Sequence, residues 1–429
     1  MSEREVVITG TGLTTPVGKN SVENWQSLKT LKTGIANNRS DDLPEFLHYT
    51  GKVTRFDLPQ DIPPKQQGQM KFLNRGATLG FCAAHEAVSS VKSFIGDIQP
   101  GRRALYVASG DHTKIGYDFM YPAIRDSVDS RWDNLDQRKL NESALNKVNP
   151  FFLLESLNNN LFSFLSAVIE FMGPNTSLAS LSPCGGNALE LAYRSIKLNN
   201  ADVALAVGYG NWITEIPLYE LEGLGILSKC RHGAASYRPF DRNRDGFIPG
   251  EGGAAIFLEA ADSAEKRGAD ILGKLKGFGN CIEFSPSHKM GVSERVTKNN
   301  IASLLKETGT RIHDLSFIIP HGSGTRKGDS SELRSLTEIF SDENNDVPLC
   351  GLKPYTGHMG AASDITEIIF GMYAVKEKMV PATLNYEEAE KEFSHLRISG
   401  SPQVCNNDTF LSVSYGVGGQ SSSVIVEVK

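Results

Sequence analysis

Short apolar, β-branched runs alternate with segments whose apolar residues recur at helical spacing along most of the chain. In the first half, residues 5–9, 104–108, 177–181 and 202–208 have the length and composition of strands. Residues 25–32, 72–91 and 188–197 carry the helical period, and 151–172 predict a long apolar helix or helix pair. The second half repeats the grammar, with strands at 254–258, 271–278, 315–320, 410–414 and 423–428, and helices at 301–308, 331–340 and 366–375. Apolar strands alternating with helices predict an α/β fold with mostly buried sheets. The two halves divide at 1–260 and 261–429, which suits a duplicated unit, although no residue-level repeat accompanies it. Residues 115–150, including DSVDSRWDNLDQRKLNESALNK, break the pattern and are expected to form a polar surface excursion or an interface arm.

Charge narrows the field of functions. Lys and Arg number 44 against 50 Asp and Glu, a net charge of −6, and no basic stripe tracks a nucleic-acid backbone. The opening MSEREVVITGTG has no basic region followed by a long apolar core, so no signal peptide is expected, and no run of apolar residues is long enough to span a membrane. The six cysteines (82, 184, 230, 281, 350 and 405) are scattered without a CxxC pair. Reduced thiols and a cytoplasmic location are the expectation.

Two segments imitate familiar motifs. ITGTGLTTPVG resembles a dinucleotide loop but reads GxGxxT and lacks the third glycine, so an ordinary strand-to-loop turn is expected. DRNRDGFIPGEG places Asp241, Asn243, Asp245 and Gly246 at calcium-loop spacing. The bidentate acid belongs at position 12, where Gly252 stands, and Glu251 falls one residue early. A structural turn is the expectation.

Chemistry gathers in three separated segments and a C-terminal turn. In SLSPCGGNALELAYRSIKL a strand ends at Cys184 and a helix begins, placing the thiol at the positive end of the helix dipole, where a lowered pKa is expected. Gly185 and Gly186 leave room for close approach, and the turn aims amides at anything attached to sulfur. A buried structural cysteine is the competing reading. IIPHGSGTRKGDSSELRSL delivers His321 from an apolar strand to a loop of glycines and hydroxyls, and GLKPYTGHMGAASDITEII presents Lys353, His358 and, one helix turn and more further on, Glu367. The histidines lack partners at metal-ligand spacing, so no metal site is expected. SYGVGGQSSSVIVEV puts a glycine-rich turn around Val417 that offers free amides.

Cys184 in its turn, HGSGTRKGD, KPYTGH with its trailing GAASD…E, RPFDRNRDGF…GEGGA and SYGVGG together resemble the β-ketoacyl-acyl carrier protein synthases of the KAS I/II type, in the same order and at similar spacing from about Val6 to Val426. The resemblance implies a thiolase-like, five-layered αβαβα fold made of two similar halves. It implies that Cys184 accepts an acyl group as a thioester. His321 and His358 would steady the malonyl thioester carbonyl as carbon dioxide leaves, and Lys353 would orient the site with Glu367. Ser323 and Thr325 would bind the phosphopantetheine arm, and the amides of Cys184 and Val417 would form the oxyanion hole. It further implies an acyl carrier protein as partner, a homodimer, and no metal or organic cofactor.

Departures from the family bear on substrate. Val417 stands where a gating phenylalanine is usual, so a looser gate is expected. Asp111 falls near the bottom of the acyl pocket, where a buried acid facing an aliphatic tail is costly. Either the tail is polar, aromatic or unsaturated at its far end, as in polyene or aryl-polyene assembly, or Asp111 pairs with a base or faces a dimer interface. The long 115–150 insert lies near the family's dimer contact and suits a heterodimer with a silent, chain-length-factor-like partner. That this chain is itself such a non-elongating subunit is the alternative reading, disfavoured because Cys184, His321 and His358 all remain. Lys65, Lys71, Lys229 and Arg231 are candidates for a basic patch facing the carrier protein, against the plainer reading of scattered surface charges.

Overall fold

A computed structural model describes residues 3–39, 44–110, 117–148, 150–152, 157, 159–180, 182–285, 291–340 and 346–429. The first half lays down β1 (Val6–Thr14), α1 (Ser21–Lys29), α2 (Arg75–Ser89), β2 (Arg103–Ser109), α3 (Tyr117–Ser127), α4 (Gln137–Lys147), α5 (Asn160–Ile169), β3 (Asn175–Ala179), α6 (Cys184–Lys197), β4 (Val203–Asn211) and β5 (Glu251–Ala260). The second adds β6 (Gly273–Ile282), α7 (Lys298–Thr308), β7 (Leu315–Ile319), α8 (Arg326–Phe340), α9 (Ala361–Lys376), β8 (Thr409–Tyr415) and β9 (Gln420–Val428).

The strands form one sheet in the order β3-β2-β4-β5-β1-β6-β9-β8-β7. Its two ends mirror one another. In the first half β1 pairs antiparallel with β5, β5 antiparallel with β4, and β4 parallel with β2, which pairs parallel with β3. In the second half β6 pairs antiparallel with β9, β9 antiparallel with β8, and β8 parallel with β7, whose Ile318 bridges in parallel to Leu349. The halves meet where β1 and β6 share two residue pairs, Val7 with Lys274 and Ile8 with Gly273.

Helices complete the layers. α2 packs on β1, β4 and β5, and α7 packs on β6 and β9, one outer helix for each half. α6 and α9 pack against each other between the two sheet halves. Their apolar residues, including Ala188, Leu189, Ala192, Ile196, Ile365, Ile368 and Ile369, belong to the largest core cluster. Fourteen of the sixteen residues of α9 are buried. A helix apolar on every side is one that other elements surround. Each fully buried Leu or Ile contributes roughly 1.5–3 kcal/mol, so this packing holds the central layer together.

Local chemistry moved several boundaries. α1 starts at Ser21 because the Asn20 side chain accepts from the Glu23 amide at 2.8 Å, a cap that apolar spacing alone does not reveal. The glycine-rich ITGTGLT is not the loop expected from sequence. β1 continues through it to Thr14, because a Cβ at Gly10 or Gly12 would be driven into the Ala87 or Ala83 carbonyl of α2. Those glycines admit the close approach of a helix to a strand. Within 115–150, the described residues form a helical pair, α3 and α4, that pack on each other. The Asp126 carboxylate accepts from Ser143 at 2.9 Å and pairs with Lys147. Trp132, Leu135 and Leu145 stand exposed on this excursion.

Candidate active site

Cys184 is the first residue of α6, following Pro183, and is 2% exposed. Its thiol donates to the Ser180 carbonyl at 2.8 Å. The Asp364 carboxylate accepts from the Gly185 amide at 3.0 Å and interacts with the Gly186 amide. The Cys184 amide has no acceptor elsewhere in the backbone among the described residues. The lowered thiol pKa expected from the helix terminus is corrected here. Burial pushes the Cys184 thiol well up, and the nearby Asp364 charge adds to the rise, against smaller opposing backbone hydrogen bonds. Desolvation of a thiolate outweighs the dipole of one helix turn at so enclosed a position. The resting group is a thiol.

The second half brings two imidazoles together. His321 follows β7 and His358 precedes α9, yet their ring centroids lie 5.2 Å apart, edge to face. The Gly360 amide donates to His358 Nδ1 at 3.2 Å, so Nε2 carries the proton. Trp212 stacks on His358 at 4.6 Å and Phe247 flanks it at 5.0 Å; Tyr415 lies 4.4 Å from His321. Both histidines are 3% exposed. Burial holds their pKa values well below the usual imidazole range, and the Lys353 charge lowers both further. They are neutral near pH 7.

Lys353, in the short helix Lys353–Thr356, ties these loops together. Its ammonium donates to the His321 carbonyl at 2.6 Å and to both Glu367 oxygens at 2.9 and 3.0 Å. Lys353 is 1% exposed. Burial carries the Glu367 pKa up to about 7, with the Lys353 charge opposing. From below, Glu332 accepts from the His321 and Gly322 amides at 2.7 and 3.0 Å. The loop carrying His321 is therefore pinned at its amide by a carboxylate and at its carbonyl by an ammonium.

A cleft of about 530 Å³ gathers these groups. Ser182, Trp212, Leu221, Ile226, Phe247, Val292, His321, Ser323, Thr325, His358, Tyr415, Gly416 and Val417 line it. Cys184 is not among the lining residues; it follows Ser182 by two residues in the chain. Ser323 hydrogen-bonds Thr325 at 2.8 Å, donates to Asp329 at 3.0 Å, and accepts from Tyr415 at 3.2 Å. Val417 sits in the turn between β8 and β9, closed by Gly419 donating to the Gly416 carbonyl at 3.1 Å. Its own amide has no acceptor in the backbone among the described residues.

Sequence reasoning missed Asp329, Glu332, Asp364, Trp212, Phe247 and Tyr415. The two acids and the trailing Asp of GAASD lay inside the segments that carry His321 and His358. Phe247 and Tyr415 likewise lay inside the motifs RPFDRNRDGF and SYGVGG, whereas Trp212 lies outside all of them and had no such signal. Asp111 lies outside the described residues. The calcium-like turn is structural, as expected: Asp241 accepts from the amides of Asn243, Glu387 and Glu388 at 2.8, 2.9 and 2.9 Å. The fully buried Arg244 joins Ser330 at 2.8 Å, Glu390 at 2.9 Å and Asp329 at 3.5 Å. Lys229 and Arg231 line a neighbouring cleft with Arg238 and Arg326. Lys65 and Lys71 do not; Lys71 lies over the Phe72 and Phe151 rings.

A buried thiol at a helix start, two neutral imidazoles and a buried ion pair on a duplicated α/β frame define the class of thiolase-fold condensing enzymes. The profile of the beta-ketoacyl synthase N-terminal domain matches residues 3–264, and that of the C-terminal domain matches residues 283–387. The chain belongs to the β-ketoacyl synthase family and is an acyltransferase. It is 26% identical to 3-oxoacyl-[acyl-carrier-protein] synthase 2 of Synechocystis sp., covering 98% of this chain and 97% of that protein. It is 27% identical to the mitochondrial 3-oxoacyl-[acyl-carrier-protein] synthase of Arabidopsis thaliana, covering 99% and 93%. Among solved structures, the ishigamide ketosynthase/chain length factor superposes with a TM-score of 0.84 at 20% identity, over 100% of each chain. A type II polyketide ketosynthase in complex with its acyl-carrier protein superposes at 0.83 and 21%, again over 100% of each chain. Among the described residues no helix is long and apolar enough to cross a membrane.

Proposed function

We propose that this acyltransferase performs decarboxylative Claisen condensation of a malonyl thioester with an acyl group held on Cys184, both delivered by an acyl carrier protein. The Cys184 sulfur attacks the incoming thioester carbonyl; the carbonyl–sulfur bond of the donor breaks, and the carrier thiol leaves with the cysteine proton. In the second stage the malonyl C–C bond to its carboxylate breaks and carbon dioxide leaves. The resulting enolate carbon attacks the Cys184 thioester, and the cysteine sulfur leaves and regains a proton. The observation that carries this reading is the convergence of His321 and His358, both neutral, on a cleft that Ser182, two residues before the buried Cys184, also lines. Neutral N–H donors favour an enolate oxygen without adding a charge that water-free surroundings would penalise.

In this reading Lys353 and Glu367 hold the imidazole loops, and the amides of Cys184 and Val417 receive the tetrahedral oxyanion. Ser323 and Thr325 guide the phosphopantetheine arm. The reaction requires neither metal nor organic cofactor. The carrier protein meets Lys229, Arg231, Arg238 and Arg326, which line the neighbouring cleft. The chain divides into halves at 1–260 and 261–429, a reading supported by the mirrored strand order. It works in the cytoplasm as a dimer across the exposed edge strand β3 and the excursion bearing Trp132. A homodimer is the primary reading; a heterodimer with a chain-length-factor-like subunit is the alternative, by analogy with the ishigamide ketosynthase/chain length factor. The acyl tail is polar, aromatic or unsaturated at its far end, as in aryl-polyene assembly; that Asp111 instead pairs with a base or faces a dimer interface is the equal alternative.

Intact-protein mass spectrometry after incubation with a panel of acyl-carrier-protein thioesters tests the reading. Mass gain in the wild type and none in Cys184→Ala is the expected outcome. Best loading by plain saturated C8–C16 chains would sink the assignment of the tail. No gain with any donor, alone or with a co-expressed partner subunit, would sink the condensing role.

A further inference from the structure

Asp364 has no part in the chemistry derived so far, yet it is a buried carboxylate beside the nucleophile. It lies in the first turn of α9, is 2% exposed, and reaches across to the start of α6. Its Oδ2 accepts from the Gly185 amide at 3.0 Å and its Oδ1 from the Ser182 hydroxyl at 3.1 Å. The Gly186 amide and the Ser414 hydroxyl also donate to it. Amide N–H groups can only donate, so this arrangement favours the ionised form, against burial, which raises the Asp364 pKa. The site is built for that proximity. A Cβ at Gly185 would be driven into the Ala361 carbonyl and to 3.0 Å from the Asp364 side chain, so the two central helices touch because residue 185 has no side chain.

We propose that Asp364 is a positioning residue for the reaction, a clamp from the second half that locks the first turn of the nucleophile helix and restrains the reactivity of Cys184 until an acyl donor arrives. This rests on the reading of Cys184 as nucleophile. Asp364 occupies the Gly185 and Gly186 amides, so the Cys184 amide is the one in that turn left for a substrate oxygen. A negative charge at this point also opposes the helix dipole that would otherwise favour thiolate. In keeping with this, the Asp364 charge follows burial as a cause of the raised Cys184 pKa. The other charged groups acting on Asp364 are Lys353, which favours its ionised form, and Glu367, with which it repels. The device separates two demands on a thiol. It stays protonated against indiscriminate electrophiles and oxidants, and it stays oriented for one thioester.

The test compares wild type, Asp364→Asn, Asp364→Ser and Asp364→Glu as full-length proteins. Three readouts are taken: the pH profile of Cys184 alkylation by iodoacetamide, acyl loading from an acyl-carrier-protein thioester, and Tm. In the neutral variants alkylation at about pH 7.5 should accelerate on the order of tenfold, the change in thiolate fraction for one unit of thiol pKa. Acyl loading should slow in the same proteins. Asp364→Glu keeps the charge but displaces it, so alkylation should stay slow while loading still falls. The serine variant stands in if the asparagine variant does not fold. Alkylation profiles that superimpose on wild type, whether or not Tm falls, would overturn the proposal. Wild type that accepts no acyl group refutes the proposed function instead, and the alkylation profiles still decide the clamp.

Discussion

The two halves of the molecule set the same helix start to opposite uses. In the first half the edge strand β3 leads to the central helix α6; in the second a single parallel bridge from Leu349 to Ile318 precedes the central helix α9, and the two helices pack on each other. At the head of α6 stands one soft nucleophile, held as a thiol. At the head of α9 stand a neutral donor, an ammonium and, from the neighbouring loop, a second donor. The frame repeats, and the turns diverge. The two similar halves supply two central helices in one buried layer, and the chemistry is written into the residues at and before each helix start.

Ways to break this division of labour can be ranked by size. Cys184→Ala empties the first-half turn and should abolish acyl loading outright, with condensation falling by at least ~10³-fold, read by mass and by product formation. Removing a second-half donor is smaller and selective. His321→Ala or His358→Ala should slow malonyl decarboxylation by about 10²–10³-fold while the acyl-enzyme still forms, so mass spectrometry should find a loaded protein that does not turn over.

Lys353→Ala tests the frame as well as the site. Leaving Glu367 buried without its cation should cost about 3–5 kcal/mol in urea unfolding. The paired change Lys353→Met/Glu367→Leu should recover most of that stability and none of the condensation, because the His321 carbonyl loses its anchor. A recovery of both would remove Lys353 from the site.

The imidazoles give a pH signature of opposite sign from a surface histidine gaining a salt bridge. Their folded pKa values are depressed by burial, so below about pH 6.5 the unfolded chain takes up protons that the folded chain refuses. Their share of stability is complete above that pH and is lost as pH falls through it. The His321→Phe/His358→Phe variant should show a shallower acid slope in urea unfolding, by up to two protons. The smallest expected change is Val417→Phe, which narrows the cleft mouth and should alter loading of bulky acyl groups several-fold with Tm unchanged.

Much of this was legible in sequence. Apolar period located every strand of the large sheet, and five ordered motifs brought Cys184, His321, His358, Lys353 and Glu367 into one site before any coordinates. What sequence did not show depends on neighbours. β1 runs on through its glycines because α2 presses against them, and a local reading sees only a turn signal. The thiol pKa was misjudged because a helix terminus is visible in sequence while burial and a carboxylate 180 residues away are not. Trp212 and Phe247 flank His358 from loops with no period of their own. Asp364 sat in plain view inside GAASD but read as one more polar residue until its distance to Gly185 was known.

The ordering of the site along the chain has a consequence for synthesis. The nucleophile leaves the ribosome more than a hundred residues before His321 and about 180 before Asp364 and Glu367. Until α9 emerges, α6 lacks the helix its apolar residues pack against, and its apolar face and thiol are open to solvent or to a chaperone. Reactivity and protection are thus delivered together and late. Seating α9 brings Asp364 against the nucleophile turn, and any pause or truncation before residue 361 leaves the thiol without that guard.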